Sequence, residues 1–185
     1  MSPKTVHLIA AARPNFMKVA PLYHALSAES WCVPRIIHTG QHYDANMSDA
    51  FFRDLRLPEP AHHLEIGSGT HAEQTGRTMI AYEAVCTGER PDAIVVVGDV
   101  NATAACALVG AKLWIPVVHL EAGLRSRDRR MPEEINRLVT DQVGGRRRPV
   151  VIGREAEPGN LGRVPEAAVG HHPSDAAHHQ ACDQD

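Results

Sequence analysis

Short apolar runs alternate with amphipathic stretches along the first 143 residues of the chain. The runs are rich in β-branched residues and predict strands at residues 5–11, 33–38, 62–66, 93–97 and 116–120. Helical spacing of apolar residues predicts helices at residues 16–28, 49–55, 70–85 and 101–113, and Pro132 is expected to open a last helix. Buried strands separated by helices form parallel βαβ units, so the pattern predicts an α/β fold, a Rossmann-like parallel sheet with helices on both faces.

The alternating pattern ends after Val143. Residues 144–185 begin with GGRRR, include two pairs of histidines, and show no sustained apolar period; residues 149–152 are the one candidate strand. A segment without an apolar face cannot bury enough surface to offset its ordering entropy. We therefore expect residues 1–143 to form one domain and residues 144–185 to be an irregular, largely disordered tail without a native metal site.

Composition argues against several classes of protein: nucleic-acid-binding, membrane-spanning, zinc-binding and disulfide-linked. The net charge of −3 and the 4% aromatic content do not suit a nucleic-acid-binding surface, which needs basic patches or stacking side chains. Apolar runs all fall short of the roughly 18 residues of a membrane span. The four cysteines are far apart, which favours free thiols in a reducing compartment over a zinc site or disulfides. We expect a cytoplasmic protein with no nucleic-acid, membrane or metal partner.

Polar side chains gather where the predicted strands end. Ligands of parallel α/β sheets bind beyond the carboxyl ends of the strands, so these residues are the candidate site. In chain order they are Arg13, Asn15, Lys18, Gln41, His42, Asp44, Asp99, His119, Glu121, Arg125, Glu133 and Glu134.

Several of these residues also have structural interpretations. Asp99, or Asn101 in competition with it, could cap the following helix, and acids at the start of a helix, such as Glu133, interact well with its dipole. His119 is equally well explained as a satisfied core histidine. Capping does not readily explain Glu121, which directly follows a buried strand. Residues 67–72 (GSGTHA) fit a dinucleotide loop, but a turn followed by a helix cap is preferred because the preceding strand is weak.

Five segments occur in a fixed order between about Thr5 and Asp141. They are residues 12–21 (ARPNFMKVAP), 38–44 (HTGQHYD), 98–103 (GDVNAT), 119–125 (HLEAGLR) and 132–137 (PEEINR). Together they resemble the non-hydrolysing UDP-N-acetylglucosamine 2-epimerase family. One departure lies at the start, where that family's usual Gly-Thr-Arg-Pro-Glu is Ala11-Ala12-Arg13-Pro14-Asn15.

The resemblance implies the N-terminal domain of a glycosyltransferase-B type fold. The implied reaction interconverts UDP-N-acetylglucosamine and UDP-N-acetylmannosamine by proton removal at C2, loss of UDP and re-addition, without nicotinamide or metal. Relatives form dimers, which implies a homodimer. The family is about twice as long, so we expect a truncated or frameshifted chain with no second domain and no more than traces of activity alone.

The resemblance also assigns roles. The acid/base carboxylates fall on Asp99, Glu121 and Glu133, with the face that each serves left open. Arg13 and Lys18 match a basic pair near the substrate, and His119 and Arg125 are predicted to bind substrate as well. Gln41 and His42 match a segment that contacts a second, activating UDP-N-acetylglucosamine. Two rival functions remain: a non-catalytic nucleotide-sugar-binding module and half of a split glycosyltransferase.

Overall fold

The structure is a computed structural model that describes residues 2–40 and 52–144. Five strands and four long helices lie within these ranges. The strands are β1 (Lys4–Ala10), β2 (Cys32–His38), β3 (His62–His63), β4 (Ala93–Val97) and β5 (Val117–Leu120). The helices are α1 (Arg13–Ser27), α2 (His71–Gly88), α3 (Asn101–Lys112) and α4 (Pro132–Val143).

The strands form one parallel sheet in the order β3-β2-β1-β4-β5. Leu8 of β1 pairs with Ile36 of β2 on one side and with Val95 of β4 on the other. β2 and β3 therefore extend the sheet on one side of β1, and β4 and β5 extend it on the other side. The predicted Rossmann-like parallel sheet is confirmed.

Two apolar layers cover the two faces of this sheet. Successive side chains of a strand point to opposite faces, so Leu8 packs in one layer with Phe16 and Val19 of α1. Ile9 packs in the other layer with Tyr82 of α2 and with α3. Helices on both faces, as predicted, bury the sheet and leave its carboxyl edge as the place for a site.

The strand predicted at residues 62–66 is the clearest error in the described region. Only His62–His63 is a strand. Glu65, inside the predicted strand, and Gly67, directly after it, have left-handed φ values of +52° and +68°, which end the extended backbone. Backbone N–H groups of residues 64, 66 and 67 still donate to carbonyls of residues 38–40. The segment thus follows β2 without the extended geometry that a longer strand requires.

The glycine-rich segment at residues 67–72 is a turn and a helix cap, as preferred from the sequence. The Thr70 hydroxyl accepts the N–H of Glu73 at 3.2 Å, and the Glu73 carboxylate accepts the N–H of Thr70 at 2.8 Å. This reciprocal capping box begins α2 and satisfies two N–H groups that the helix cannot pair internally.

Three of the four cysteines, Cys32, Cys86 and Cys106, are buried free thiols. Cys182, the histidine pairs and the candidate strand at 149–152 lie outside the described residues, as do residues 49–51 of the predicted second helix. No helix in residues 2–40 and 52–144 has the length and apolar character needed to cross a bilayer.

Gly110 allows α3 to pack closely against the sheet. A Cβ atom at this position would lie 2.6 Å from Val117 Cγ2 and 2.8 Å from Ile94 Cδ1, which is too close for the present packing. We expect Gly110→Ala to lower the free energy of unfolding by about 1–3 kcal/mol, as overpacked core substitutions do. The matched control is Gly76→Ala, because Gly76 of α2 has open space around it and alanine is the better helix former. Equal stabilities of the two variants in urea titrations would contradict the close packing.

Candidate active site

Three loops meet at the carboxyl edge of the sheet. One leads from β1 into α1, one carries Gly98 and Asp99 after β4, and one carries Glu121 after β5. Gly98 turns the chain with a φ of +70°, and a Cβ here would lie 3.6 Å from the Glu121 carboxylate. The buried Asn15 holds the first loop in place, since its side-chain oxygen accepts the N–H groups of residues 11 and 12.

Glu121 occupies a strained backbone conformation at this edge. Its φ is +73°, in the left-handed region that non-glycine residues enter only at a cost of about 1–3 kcal/mol. Its Oε2 accepts a hydrogen bond from Lys18 Nζ at 2.5 Å, and both side chains are a little more than one third exposed. The structure thus brings two predicted site residues together and leaves the carboxylate accessible.

Asp99 does not cap the helix that follows it. The N-cap of α3 is Val100, and neither Asp99 nor Asn101 makes a side-chain capping bond, so both capping interpretations are wrong. Asp99 Oδ2 accepts instead from Arg137 Nη2 at 2.5 Å, with 31% of the Asp99 side chain exposed. Its carbonyl accepts from the side-chain amide of Asn136 at 2.9 Å. The carboxylate is therefore held by α4 at the rim of the site.

The two neighbouring glutamates of α4 differ sharply. Glu134 is 2% exposed and accepts from the backbone N–H groups of Ser126 and Arg127 and from Arg137. Glu133 is half-buried and makes no hydrogen bond or ion pair with any other residue in the described ranges. Glu134 thus fixes the loop before α4, while Glu133 keeps its carboxylate available.

The hydrogen bonds to Glu134 predict a pH dependence of stability. The Ser126 N–H contributes most, and together with Arg137 and Arg127 it lowers the pKa of Glu134 to about 2 against the opposing effect of desolvation. A carboxyl group with a depressed pKa stabilises the fold above its unfolded pKa of about 4.5, and that contribution disappears as the pH falls toward 2.

We therefore expect Glu134→Gln to lower the thermal midpoint at neutral pH, with a difference from the wild type that shrinks between about pH 4.5 and pH 2. Glu133→Gln is the matched control, because its carboxylate has no partner among the described residues, and its thermal midpoint should follow the wild type. Thermal melts across this pH range check the prediction. A constant difference for Glu134→Gln at every pH would contradict it.

The remaining predicted residues take varied positions. Arg13 begins α1 with an exposed side chain at the same edge. His119 is buried, and both of its ring nitrogens are engaged, Nδ1 with Asp141 and Nε2 with the Gly98 carbonyl. Arg125 Nη2 lies 2.6 Å from Asp141 Oδ2. The substrate-binding roles of His119 and Arg125 stay predictions, and Gln41, His42 and Asp44 lie outside the described residues.

The sequence placed Asn15 among the polar residues after the first strand, but it missed two residues that organise the site, Arg137 and Asp141. A signal for both existed, because Glu134, Arg137 and Asp141 follow a spacing of three and four and so share one face of α4. A stripe of alternating charge on a helix that begins beside the site indicates a supporting role. Among residues 2–40 and 52–144, no group of three His, Cys, Asp or Glu side chains could hold a metal ion.

The arrangement suits proton transfer next to a departing anion. Two accessible carboxylates, each paired with a cation, lie on neighbouring loops and can accept or deliver protons within a short range. The N-terminus of α1, together with Arg13 and Lys18, provides the positive charge and N–H groups with which proteins bind phosphates.

Known proteins that are similar to this chain in sequence and fold are named as 2-epimerases of UDP-linked sugars. The sequence profile of the family described as UDP-N-acetylglucosamine 2-epimerase matches residues 24–145. UDP-N-acetylglucosamine 2-epimerase of Methanocaldococcus jannaschii is 51% identical over 138 residues, which cover 74% of this chain and 37% of that protein. UDP-2,3-diacetamido-2,3-dideoxy-D-glucuronate 2-epimerase of Pseudomonas aeruginosa is 48% identical, over 73% of this chain and 38% of that protein.

A solved structure agrees with the sequence matches. The crystal structure of Methanocaldococcus jannaschii UDP-GlcNAc 2-epimerase in complex with UDP-GlcNAc and UDP superposes with a TM-score of 0.73 at 50% identity. The match covers 76% of this chain and 38% of that one. The chain therefore spans less than two fifths of the length of these relatives.

Proposed function

Because the chain belongs to the UDP-N-acetylglucosamine 2-epimerase family, we propose that it acts as an isomerase that interconverts UDP-N-acetylglucosamine and UDP-N-acetylmannosamine. One observation carries the proposal: Asp99 and Glu121 lie on the loops that follow two neighbouring strands at one edge of the sheet, and each carboxylate is paired with a cation. A nucleotide-sugar-binding module needs cations to bind the diphosphate, but binding alone does not require an accessible glutamate in a strained backbone conformation, such as Glu121, beside them.

The proposed reaction uses the carboxylates as acid and base. The C2 proton of the sugar is weakly acidic, and a carboxylate within hydrogen-bond reach removes it while the C1–O bond to UDP breaks. UDP then adds back as a carboxylate on the opposite side returns a proton to the other face of C2. Asp99, Glu121 and Glu133 are the residues proposed for these two tasks.

Positive charge near α1 supports the departure of UDP in this proposal. Negative charge develops on the diphosphate as the C1–O bond breaks, and preorganised cations lower the energy of that state. Arg13 and Lys18 both lie on α1 at the sheet edge, and Lys18 is close enough to serve Glu121 as well. His119 and Arg125 are proposed to border the substrate, and Gln41 and His42 to contact a second, activating UDP-N-acetylglucosamine.

Two further properties belong to the proposal. We place the protein in the cytoplasm, since Cys32, Cys86 and Cys106 are free thiols and reducing compartments preserve them. We also propose a homodimer, which light scattering of the purified chain would test.

A second substrate has support of its own. The Pseudomonas aeruginosa relative is named for UDP-2,3-diacetamido-2,3-dideoxy-D-glucuronate and is nearly as similar to this chain as the Methanocaldococcus jannaschii protein. Both names specify inversion at C2 of a UDP-linked sugar. The reaction class is thus common to both candidates, and the groups at C3 and C6 of the sugar distinguish them.

The test follows both sugars by NMR with two proteins. The first is the 185-residue chain, and the second is a fusion of residues 1–143 to the part of the Methanocaldococcus jannaschii relative that lies beyond the aligned region. We expect the fusion to convert UDP-N-acetylglucosamine into its C2 epimer faster than the diacetamido sugar. A preference for the diacetamido sugar would favour the second substrate.

Two other outcomes would overturn the proposal. Binding of UDP-N-acetylglucosamine without formation of any epimer would support a non-catalytic binding module. Release of UDP only in the presence of an acceptor sugar would support a glycosyltransferase.

A further inference from the structure

Asp141 lies where three parts of the candidate site meet. It is located on α4, with 15% of its side chain exposed, and it contacts residues of β5 and of the loop that follows. Its Oδ1 lies 2.5 Å from His119 Nδ1. Its Oδ2 accepts the Gly123 N–H at 3.0 Å and lies 2.6 Å from Arg125 Nη2. Three donors thus converge on one carboxylate.

One link from Asp141 reaches the loop that carries Asp99. The Gly98 carbonyl can only accept, so the Nε2–H of His119 donates to it, at 2.7 Å. Asp141 accepts from the other ring nitrogen, so these two contacts require a proton on both nitrogens, and the His119 ring is held as an imidazolium between two acceptors. The carbonyl of Gly98 belongs to the same peptide group as the N–H of Asp99. A displacement of Asp141 is therefore transmitted through the ring to the peptide that precedes Asp99.

The other link reaches the loop that carries Glu121. Gly123 and Arg125 both bind Asp141 Oδ2, so the carboxylate closes the turn in which Glu121 and Gly123 take φ values of +73° and +84°. Strained backbone of this kind persists only where its surroundings hold it. Asp141 supplies part of that restraint from outside the loop.

The charge of Asp141 is maintained by the same contacts. Burial acts to raise the pKa of this carboxyl group, but the Gly123 N–H, His119 and Arg125 outweigh it and lower the pKa below its usual value. The carboxylate therefore stays ionised at neutral pH and can accept from all three donors together.

We propose that Asp141 is a positioning residue that couples the two loops carrying Asp99 and Glu121. It acts through His119 and the Gly98 carbonyl on one side and through Gly123 and Arg125 on the other. The inference rests on the proposed function only in taking these two carboxylates as reacting groups. A displacement of about 1 Å in such a group can cost on the order of 10²-fold in rate, so the coupling bears on catalysis.

The deciding experiment compares backbone amide NMR spectra of the complete 185-residue chain with those of Asp141→Asn. The control is Asp128→Asn, which makes the same change of charge at a half-buried residue paired with the exposed Arg130. We expect Asp141→Asn to shift the amide signals of both Asp99 and Gly123, and Asp128→Asn to leave them in place. If the chemical shift of the Asp99 amide changes no more in Asp141→Asn than in the control, the proposed coupling between the two loops is wrong.

A measurement on the wild type keeps the proposal testable if Asp141→Asn fails to fold. The His119 ring, assigned through its own Cβ, should show a scalar coupling from Nε2 across the hydrogen bond to the Gly98 carbonyl carbon. Its absence would overturn the coupling even without a variant.

Kinetics of the fusion separate positioning from a general structural role. Asp141→Asn should lower kcat by about 10–10²-fold with little change in KM, and Asp141→Glu should recover part of the loss. An equal loss for the two variants, or a change in KM alone, would contradict positioning. A wild-type fusion without turnover would count against the proposed function, while the amide shifts would still decide on the coupling.

Discussion

Replacing Glu121 with glutamine is expected to slow C2 epimerisation by the fusion by about 10²–10⁴-fold, the usual contribution of general acid–base catalysis. Glutamine preserves the size of the side chain and can still accept a hydrogen bond from Lys18, but it cannot take up or release a proton near neutral pH. Substrate binding should change far less than turnover. Initial rates over a range of UDP-N-acetylglucosamine concentrations give both quantities.

The thermal midpoint of Glu121→Gln decides whether the loss is chemical. Glu73→Gln is the control, because Glu73 caps α2 and makes an ion pair with Arg77, so its loss should affect stability but not rate. A folded Glu121→Gln variant that epimerises at a near-native rate would remove the central residue from the mechanism.

Asp99→Asn is expected to reduce turnover by a similar factor, about 10²–10⁴-fold. Capping does not offer a competing explanation here, since Val100 is the N-cap of α3 and Asp99 makes no capping bond. The variant does remove the ion pair with Arg137, which is 17% exposed, so some loss of stability is expected as well.

The two effects of Asp99→Asn can be separated. The rate is measured at a temperature where thermal melts show the variant to be fully folded. Asp128→Asn serves as the control because it breaks an Asp–Arg pair that includes none of the predicted site residues. If Asp99→Asn loses stability but keeps its rate at that temperature, Asp99 is a structural residue.

The fold could be predicted from the sequence because its core strands are short, apolar and rich in β-branched residues. Val95, Val96 and Val97 of β4 are buried, and a short β-branched run of this kind is typical of a strand covered on both faces. The strand at residues 62–66 was mispredicted because the left-handed backbone of Glu65 is a product of its surroundings and leaves no pattern in the sequence.

The candidate site could be predicted only in part. Parallel strands bring their carboxyl ends to one edge whatever their exact register, so Asp99 and Glu121 could be placed there from order alone. Which of Glu133 and Glu134 is buried depends on how α4 is rotated about its axis. The role of Asp141 depends on the path of the loop at residues 121–125, whose backbone angles the sequence does not specify.

In the proposed reaction, the carboxylates of Asp99, Glu121 and Glu133 remove and return a proton at C2 of a nucleotide sugar. The most direct measurement incubates UDP-N-acetylglucosamine with the fusion in heavy water and records deuterium at C2 of substrate and product by NMR and mass spectrometry. Removal and return of the proton predict that the epimer carries one solvent deuterium at C2, and that Glu121→Gln forms this species about 10²–10⁴-fold more slowly. Bound sugar that retains its C2 hydrogen throughout would contradict the account.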